Sequence, residues 1–223
     1  GPTFRAEKSK TRRHLMEFWM VEPEVAYLDL KGDMDLAEDF VSYLLNRVVG
    51  EREKELIALE RNVEALRAAA VRPYPRLSYD EAVDILRKKH GKTHEWGSDF
   101  GAEEETLLAQ EYSQPLFIHR FPAACKAFYM KGDPASPKHA LCMDLLAPEG
   151  YGEIVGGGER EDDYETLRGK FAYMAPEQTL GLAVDARGDV FSFGTLLYEL
   201  LTGSTTFRAR SPIETLERVQ RVR

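Results

Sequence analysis

Cysteine is almost missing from this chain: there are two, Cys125 and Cys142, in 223 residues. Two thiols are too few for a disulfide framework or a thiolate zinc site. Both sit among apolar neighbours, so they are expected to be reduced, buried thiols of a cytosolic protein. No apolar run approaches the ~20 residues a membrane-crossing helix needs, and no stretch has the layout of a signal peptide. Positive charge is also short. The net charge is −8 and the pI about 5.3, so no global basic field points to nucleic acid, and any contact with RNA needs a local patch. The deficit is uneven, because residues 169–223 carry 7 Lys+Arg against 6 Asp+Glu and the acidity belongs to what precedes them. The hydrophobic fraction of 43% is that of a globular protein and excludes a disordered chain; the length suits one or two domains.

What is present reads as two characters in succession. Phe18 to Leu30 alternates loosely and predicts a strand with Pro23 at an edge or bulge; Lys31-Gly32-Asp33 reads as a turn. From Asp35 to about Ala70 the spacing is helical, with Leu36, Phe40, Val41, Leu44, Leu45 and Val48 as the apolar stripe and a break near Gly50. Ser78 and Glu81 form a capping box ahead of a helix over 81–89, and a turn over 97–101 precedes a helix over 102–111. Strands are expected at 115–120, 126–131, 140–146 and 153–155, with a polar loop at 131–138 and Gly156-Gly157-Gly158 at the end. The fold class of the first 165 or so residues is therefore α+β, an antiparallel sheet with helices. Beyond Arg168 the pattern becomes mainly helical. Residues 190–201 form an apolar helix closed by Gly203, and Ser211, Pro212 and Glu214 open another that is expected still to run at Arg223. A chain that stops inside a helix reads as a truncated one.

The most unusual stretch is FRAEKSKTRRHLMEFWM, Phe4 to Met20, where an acidic chain gathers Arg5, Arg12, Arg13 and His14 beside Glu7 and Glu17 and then turns apolar. Arginine forks match phosphate oxygens, a nearby glutamate can fix the fork or accept from an amine, and Phe18 offers a flat face to a base. A solvated basic loop in front of a core strand is the plainer reading of the composition.

The letters themselves are more specific. GPTFRAEKSKTRRHLMEFWMVEPE resembles the second signature motif of class II aminoacyl-tRNA synthetases, of the asparaginyl type. WGSDFGAEEE, HRFPAACKAFYMKGDP and DLLAPEGYGEIVGGGERED continue the resemblance in order over about three quarters of the chain. Gly1-Pro2 fits that pattern as native sequence, so the chain is expected to start inside the catalytic domain. The resemblance implies that Arg5 holds the α-phosphate of ATP, that Glu7 lies near the adenosine and the tRNA end, and that Arg13 and His14 meet the outer phosphates. It implies further that Phe18 carries the adenine, that Asp144 and Glu153 bind magnesium, that Arg160 contacts the amino acid, and that Gly156, Gly157 and Gly158 admit the ligand close to the backbone. The implied cofactors are ATP and Mg2+. The implied partners are asparagine and tRNA, with no membrane, and the implied site of action is cytoplasmic. Ser-Gln is expected ahead of the arginine where this chain has Gly158-Glu159, which keeps open an aspartate-activating relative, the asparagine synthetase that shares this core. The first and third signature motifs, which in the family build the homodimer interface and clamp the adenine, have no counterpart in these residues, nor has the anticodon-binding barrel.

A second resemblance follows. RGKFAYMAPEQ, VDARGDVFSFGTLLYELLTG and SPIETLERV are similar to the C-terminal lobe of a Ser/Thr protein kinase, with Ala175-Pro176-Glu177 and the helix-start Asp189 in their places. The glycine-rich loop, the strand lysine and the catalytic and magnesium-binding aspartate motifs of kinases are not in the sequence. Domains are expected at 1–166 and 167–223, joined near 166–170 without a linker. Such a join reads as an incomplete synthetase fragment in a chimeric product, or as a kinase-related signalling protein.

Overall fold

The computed structural model describes residues 1–5, 15–127, 129–163, 173–179, 186–209 and 212–222. They fall into two compact units, Gly1–Arg160 and Glu161–Arg223. The expected join at 166–170 lies outside the described residues.

The first unit is α+β. Its main sheet has four strands in the order β3 (Arg76–Ser78), β4 (Leu116–His119), β7 (Cys142–Ala147) and β8 (Gly152–Gly158). The sheet is mixed rather than purely antiparallel: β3, which the sequence reading passed over, runs parallel to β4. A parallel neighbour needs a crossover, and α3 (Tyr79–His90) and α4 (Ala102–Ala109) supply it. The pleat splits the side chains cleanly. Leu116, Ile118, Cys142 and Leu146 face α3 and α4 together with Tyr79, Leu86, Leu108 and Phe121. Phe117, Leu141, Met143 and Leu145 face α1 (Leu30–Ala58) with Leu30, Met34, Ala37 and Val41. Both faces of β4 are therefore buried, which is why it reads as an unbroken apolar run.

Helix α1 begins where the sequence suggested a turn. Asp29 caps it by accepting from the Gly32 N–H at 2.8 Å, so Lys31-Gly32-Asp33 is its first turn. The kink lies at Arg52, two residues past Gly50, and α2 (Val63–Ala69) follows. The buried stripe is rotated from the expected one, leaving Leu36, Phe40, Leu44 and Val48 exposed. Two polar residues take the inner face instead, each satisfied there: the Glu38 carboxylate accepts from the Tyr74 N–H at 2.9 Å and Ser42 Oγ donates to the Ala70 carbonyl at 2.8 Å. An apolarity count cannot see such partners. At α3 the Ser78–Glu81 capping box forms as expected, with Ser78 N–H donating to Glu81 at 2.8 Å.

Three other expectations are corrected. The strand expected over Phe18–Leu30 is only β2 (Glu17–Trp19), paired with β1 (Pro2–Phe4). Pairing stops at Met20, whose N–H donates to the Gly1 carbonyl, and Pro23 and the left-handed Tyr27 then keep the chain irregular. The strand expected at 126–131 is absent from its described residues. Ala123–Cys125 is a 3-10 turn and Met130 makes a single bridge to Arg160. The supposed loop at 131–138 instead forms the hairpin β5 (Gly132–Asp133) and β6 (Ser136–Ala140).

In the second unit, α5 (Pro176–Thr179), α6 (Ala186–Thr202) and α7 (Pro212–Gln220) are the described elements. Gly203, at φ 66°, closes α6 by donating to the Glu199 carbonyl. Helix α7 ends at Gln220 rather than running to Arg223.

Candidate functional site

The β1–β2 hairpin brings Arg5 and Phe18 together. Thr3 pairs with Phe18, and the Arg5 N–H donates to the Met16 carbonyl at 2.9 Å. The pleat thus sets Arg5 and Phe18 on one face, where the guanidinium lies 5.2 Å from the centre of the ring. Glu7, Arg13 and His14, the other basic-stretch candidates, lie outside the described residues.

Asp144 and Glu153 stand on adjacent strands, and a bulge aligns them. Leu145 pairs with Val155 and Leu146 with Glu153, which leaves Ile154 as the extra residue of β8. One residue of slippage puts Glu153 on the side of the sheet that carries Asp144 and Leu146. Asp144 pairs with Gly156, and a Cβ at Gly156 would collide with Glu153 Oε1 and come within 3.5 Å of Asp144 Oδ1. Glycine there makes room for the two carboxylates to converge.

The pair is electrostatically stressed. Burial, and after it the charge of Glu153, push the Asp144 carboxyl up to about 6 even though Lys126 pulls the other way. Glu153 keeps an exposed edge, yet the partial burial of its carboxyl and the charges of Glu105 and Asp99 also push it up; Lys126 and Arg5 offset part of this. The Lys126 ammonium donates to Asp144 Oδ2 at 2.7 Å and to Asp99 Oδ2 at 3.3 Å, and it sits 3.9 Å from the centre of the Phe121 ring. Those two carboxylates hold it protonated despite its burial. Among the described residues no group of three His, Cys, Asp or Glu side chains is arranged to hold a metal ion; Asp144 and Glu153 are a pair.

Arg160 lies two residues past the far end of β8. Its guanidinium donates to Glu24 at 2.7 Å and lies over Tyr129, 4.6 Å from the ring centre. The hydrogen bond from Arg160 holds Glu24 well below the usual carboxylate range. Asp33, in the first turn of α1, is pushed up by burial and feels both of these charges. A Cβ at Gly157 would sit 2.9 Å from Asp33 Oδ2, and one at Gly158 would sit 2.7 Å from the Leu141 carbonyl oxygen. The glycine run therefore lets α1 and β7 close on β8. Glu159, which departs from the expected Ser-Gln, is satisfied elsewhere: it pairs with Lys131 at 3.0 Å and accepts from the Leu30 N–H at 3.3 Å.

The structure thus brings Arg5 with Phe18, and Asp144 with Glu153 and Gly156, while Gly157 lies toward the opposite end of β8 and Arg160 just past it. Sequence reasoning missed Glu24, Asp33 and Lys126. Lys126 stood inside a quoted block, but no spacing rule pairs it with Asp144, 18 residues away.

The description "tRNA synthetases class II (D, K and N)" fits a family model that matches residues 1–185, and "Protein tyrosine and serine/threonine kinase" one that matches 157–223. The chain is 55% identical over 199 residues to an asparagine--tRNA ligase of Sorangium cellulosum, covering 84% of this chain and 44% of that protein. It is 52% identical over 188 residues to one from Pelotomaculum thermopropionicum, covering 84% and 43%. The crystal structure of asparaginyl-tRNA synthetase from Pyrococcus horikoshii complexed with asparaginyl-adenylate matches with a TM-score of 0.73 at 44% identity, over 89% of this chain and 43% of that one. The chain spans less than half the length of the curated relatives it matches.

Proposed function

The chain belongs to the class II tRNA synthetases of the D, K and N group, and from that premise we propose that it carries part of an asparaginyl-tRNA synthetase catalytic domain, the part that binds ATP and asparagine for adenylate formation. The observation that carries the reading is the edge of one sheet: Asp144 of β7 and Glu153 of β8 converge at Gly156, and Arg160, two residues past the end of β8, pairs with Glu24, the two chemistries an aminoacyl adenylate requires.

In that reaction the amino-acid carboxylate attacks the α-phosphate and pyrophosphate leaves. The protein supplies position and charge rather than a nucleophile. Arg5 neutralises the α-phosphate as charge builds on it, and Arg13 and His14 take the leaving phosphates. Phe18 gives the adenine a face once the guanidinium of Arg5 moves from the ring to phosphate. Glu7 lies toward the adenosine. Asp144 and Glu153 fit magnesium, which is commonly held by one or two carboxylates together with phosphate oxygens and water. When bound, the ion screens the phosphates from each other. Arg160 as donor and Glu24 as acceptor match the two ends of a side-chain amide, and an aspartate carboxylate would instead meet Glu24 as a like charge. Glu159, tied to Lys131, brings no free charge to that pocket. Transfer to tRNA follows the relatives' names as part of the same reading, and a cytoplasmic place of action is what the family resemblance implies.

The kinase-like stretch does not contain the glycine-rich loop, strand lysine or catalytic and magnesium-binding aspartate motifs of kinases in its sequence. Ala175 is buried and Asp189 lies in the first turn of α6, places suited to packing and bracing.

Calorimetry with non-hydrolysable asparaginyl- and aspartyl-adenylate analogues tests the proposal. The asparaginyl analogue is expected to bind at least about tenfold more tightly, a difference of ~1.4 kcal/mol. Equal binding, or none, would overturn the reading.

A further inference from the structure

We propose that Lys126 is a positioning residue that keeps Asp144 and Asp99 tied to a cation of the protein, so that the carboxylate pair takes a divalent ion only together with nucleotide phosphates. This rests on the adenylate-forming reading of the same site. The ammonium is enclosed: the Lys126 side chain is 15% exposed, and its contacts are Asp144 Oδ2, Asp99 Oδ2 and the face of Phe121. Those three contacts match the three N–H donors of a lysine. They come from three separate pieces of chain: β7, the loop before α4, and the segment after β4. Lys126 therefore fixes the geometry of the pair as well as its charge.

Charge bookkeeping gives the consequence. Asp99, Asp144 and Glu153 bring three negative charges to a partly enclosed place, and Glu105 borders it. Such a cluster without a resident cation would attract a divalent ion by itself. With Lys126 in place Asp144 and Asp99 are both bonded to the ammonium, one of the three negative charges is balanced, and the ammonium repels a second cation at short range. Phosphate oxygens of a nucleotide restore enough negative charge and enough ligands for the ion to enter. A site built this way stays free of metal until nucleotide arrives and keeps Asp144 oriented in the meantime.

The test titrates Mn2+ alone, and Mn2+ with ATP, into the whole chain, followed by melting temperature and by the electron-spin signal of free Mn2+. The wild type is expected to respond to Mn2+ only when ATP is present. Lys126→Met is expected to bind Mn2+ without nucleotide about tenfold or more tightly than wild type, while Lys126→Arg keeps the wild-type pattern. Should Lys126→Met fail to fold, Lys126→Met combined with Asp99→Asn restores the net charge of the cluster while removing the ammonium beside Asp144, and is expected to bind Mn2+ without nucleotide more tightly than wild type, by less than the single variant's roughly tenfold. Folded variants with wild-type Mn2+ responses would overturn the inference, as would a wild type that binds Mn2+ equally well with and without ATP. A gain of metal binding in the variants, with no ATP binding in any protein, would support the role of Lys126 and sink the adenylate reading instead.

Discussion

Gly158→Ala is the sharpest structural perturbation available in the first unit. The residue ends β8 next to Glu159 and Arg160, and its φ is not in the left-handed region, so alanine costs nothing in backbone conformation. The cost is steric. An added Cβ would lie 2.7 Å from the Leu141 carbonyl oxygen, 2.8 Å from Cys142 Cα and 2.9 Å from Met130 Sδ. The methionine can swing away, but the two backbone atoms cannot. The Leu141 carbonyl accepts from Glu159 N–H at 2.8 Å, Leu141 N–H donates to Lys131, and the Cys142 carbonyl accepts from Arg120 N–H at 2.9 Å. Overpacking against fixed neighbours costs about 1–3 kcal/mol, and loosening one or two ladder hydrogen bonds adds about 1 kcal/mol each. A total near 3 kcal/mol corresponds to a fall in Tm of roughly 6–12 °C for a unit of this size. Circular dichroism melts of Gly158→Ala beside Gly132→Ala decide it. Gly132 also lies in a strand, but a Cβ there meets nothing within 4 Å, so its melt is expected to stay within about 0.5 kcal/mol of wild type. Equal melting of the two variants would show that the glycine run does not serve close approach between β7 and β8.

Gly50→Ala is expected to act in the other direction, raising stability by about 0.5–1 kcal/mol, because Gly50 lies inside α1 with open space around its Cα; the same melts would show it. Phe117→Ala empties a fully buried position between β4 and α1 and is expected to cost about 3–5 kcal/mol, read as a lower urea midpoint with an unchanged slope. His119 is held below the usual histidine range, first by burial and then by the charge of Arg120. The unfolded chain binds that proton more readily, so the stability His119 confers is complete above a pH of about 6.5 and is lost as pH falls through the depressed folded value. His119→Gln is expected to flatten the decline in Tm between about pH 7 and pH 5; an unchanged slope would assign the acid sensitivity elsewhere.

Some features were legible in the sequence because one local signal decided them. The capping box at Ser78 and Glu81, the apolar run of β4 and the glycine that closes α6 depend on neighbours a few residues away, and each formed where expected. The inner face of α1 was not legible. Glu38 and Ser42 are buried by groups 36 and 28 residues distant, so hydrophobicity turned the helix the wrong way. The hairpin at 132–140 hid for a related reason, since its ladder includes polar residues and the extended stretch before it carried the stronger strand propensity. At the site, the family resemblance rather than residue type or spacing singled out Asp144, Glu153 and Arg160. The bulge at Ile154 that turns Glu153 toward Asp144 left no mark that could be read, since a one-residue slip is a property of two strands together.

The two family models overlap over residues 157–185, while the first compact unit closes at Arg160. Every residue the adenylate reading assigns, from Arg5 to Arg160, therefore lies within one unit. The alternation of the sheet, the bulge and the Lys126 bridge are complete inside that unit as well. The chemistry proposed for β8 thus makes the same demands whether 161–223 descends from a synthetase, a kinase or a fusion of both. Deleting 161–223 would not test that chemistry cleanly, because the contacts just past β8, Glu159 with Lys131 and Arg160 with Glu24, lie against the cut. Substitutions within β8 and at Lys126 in the whole chain leave that boundary intact and separate the function of the first unit from the identity of the second.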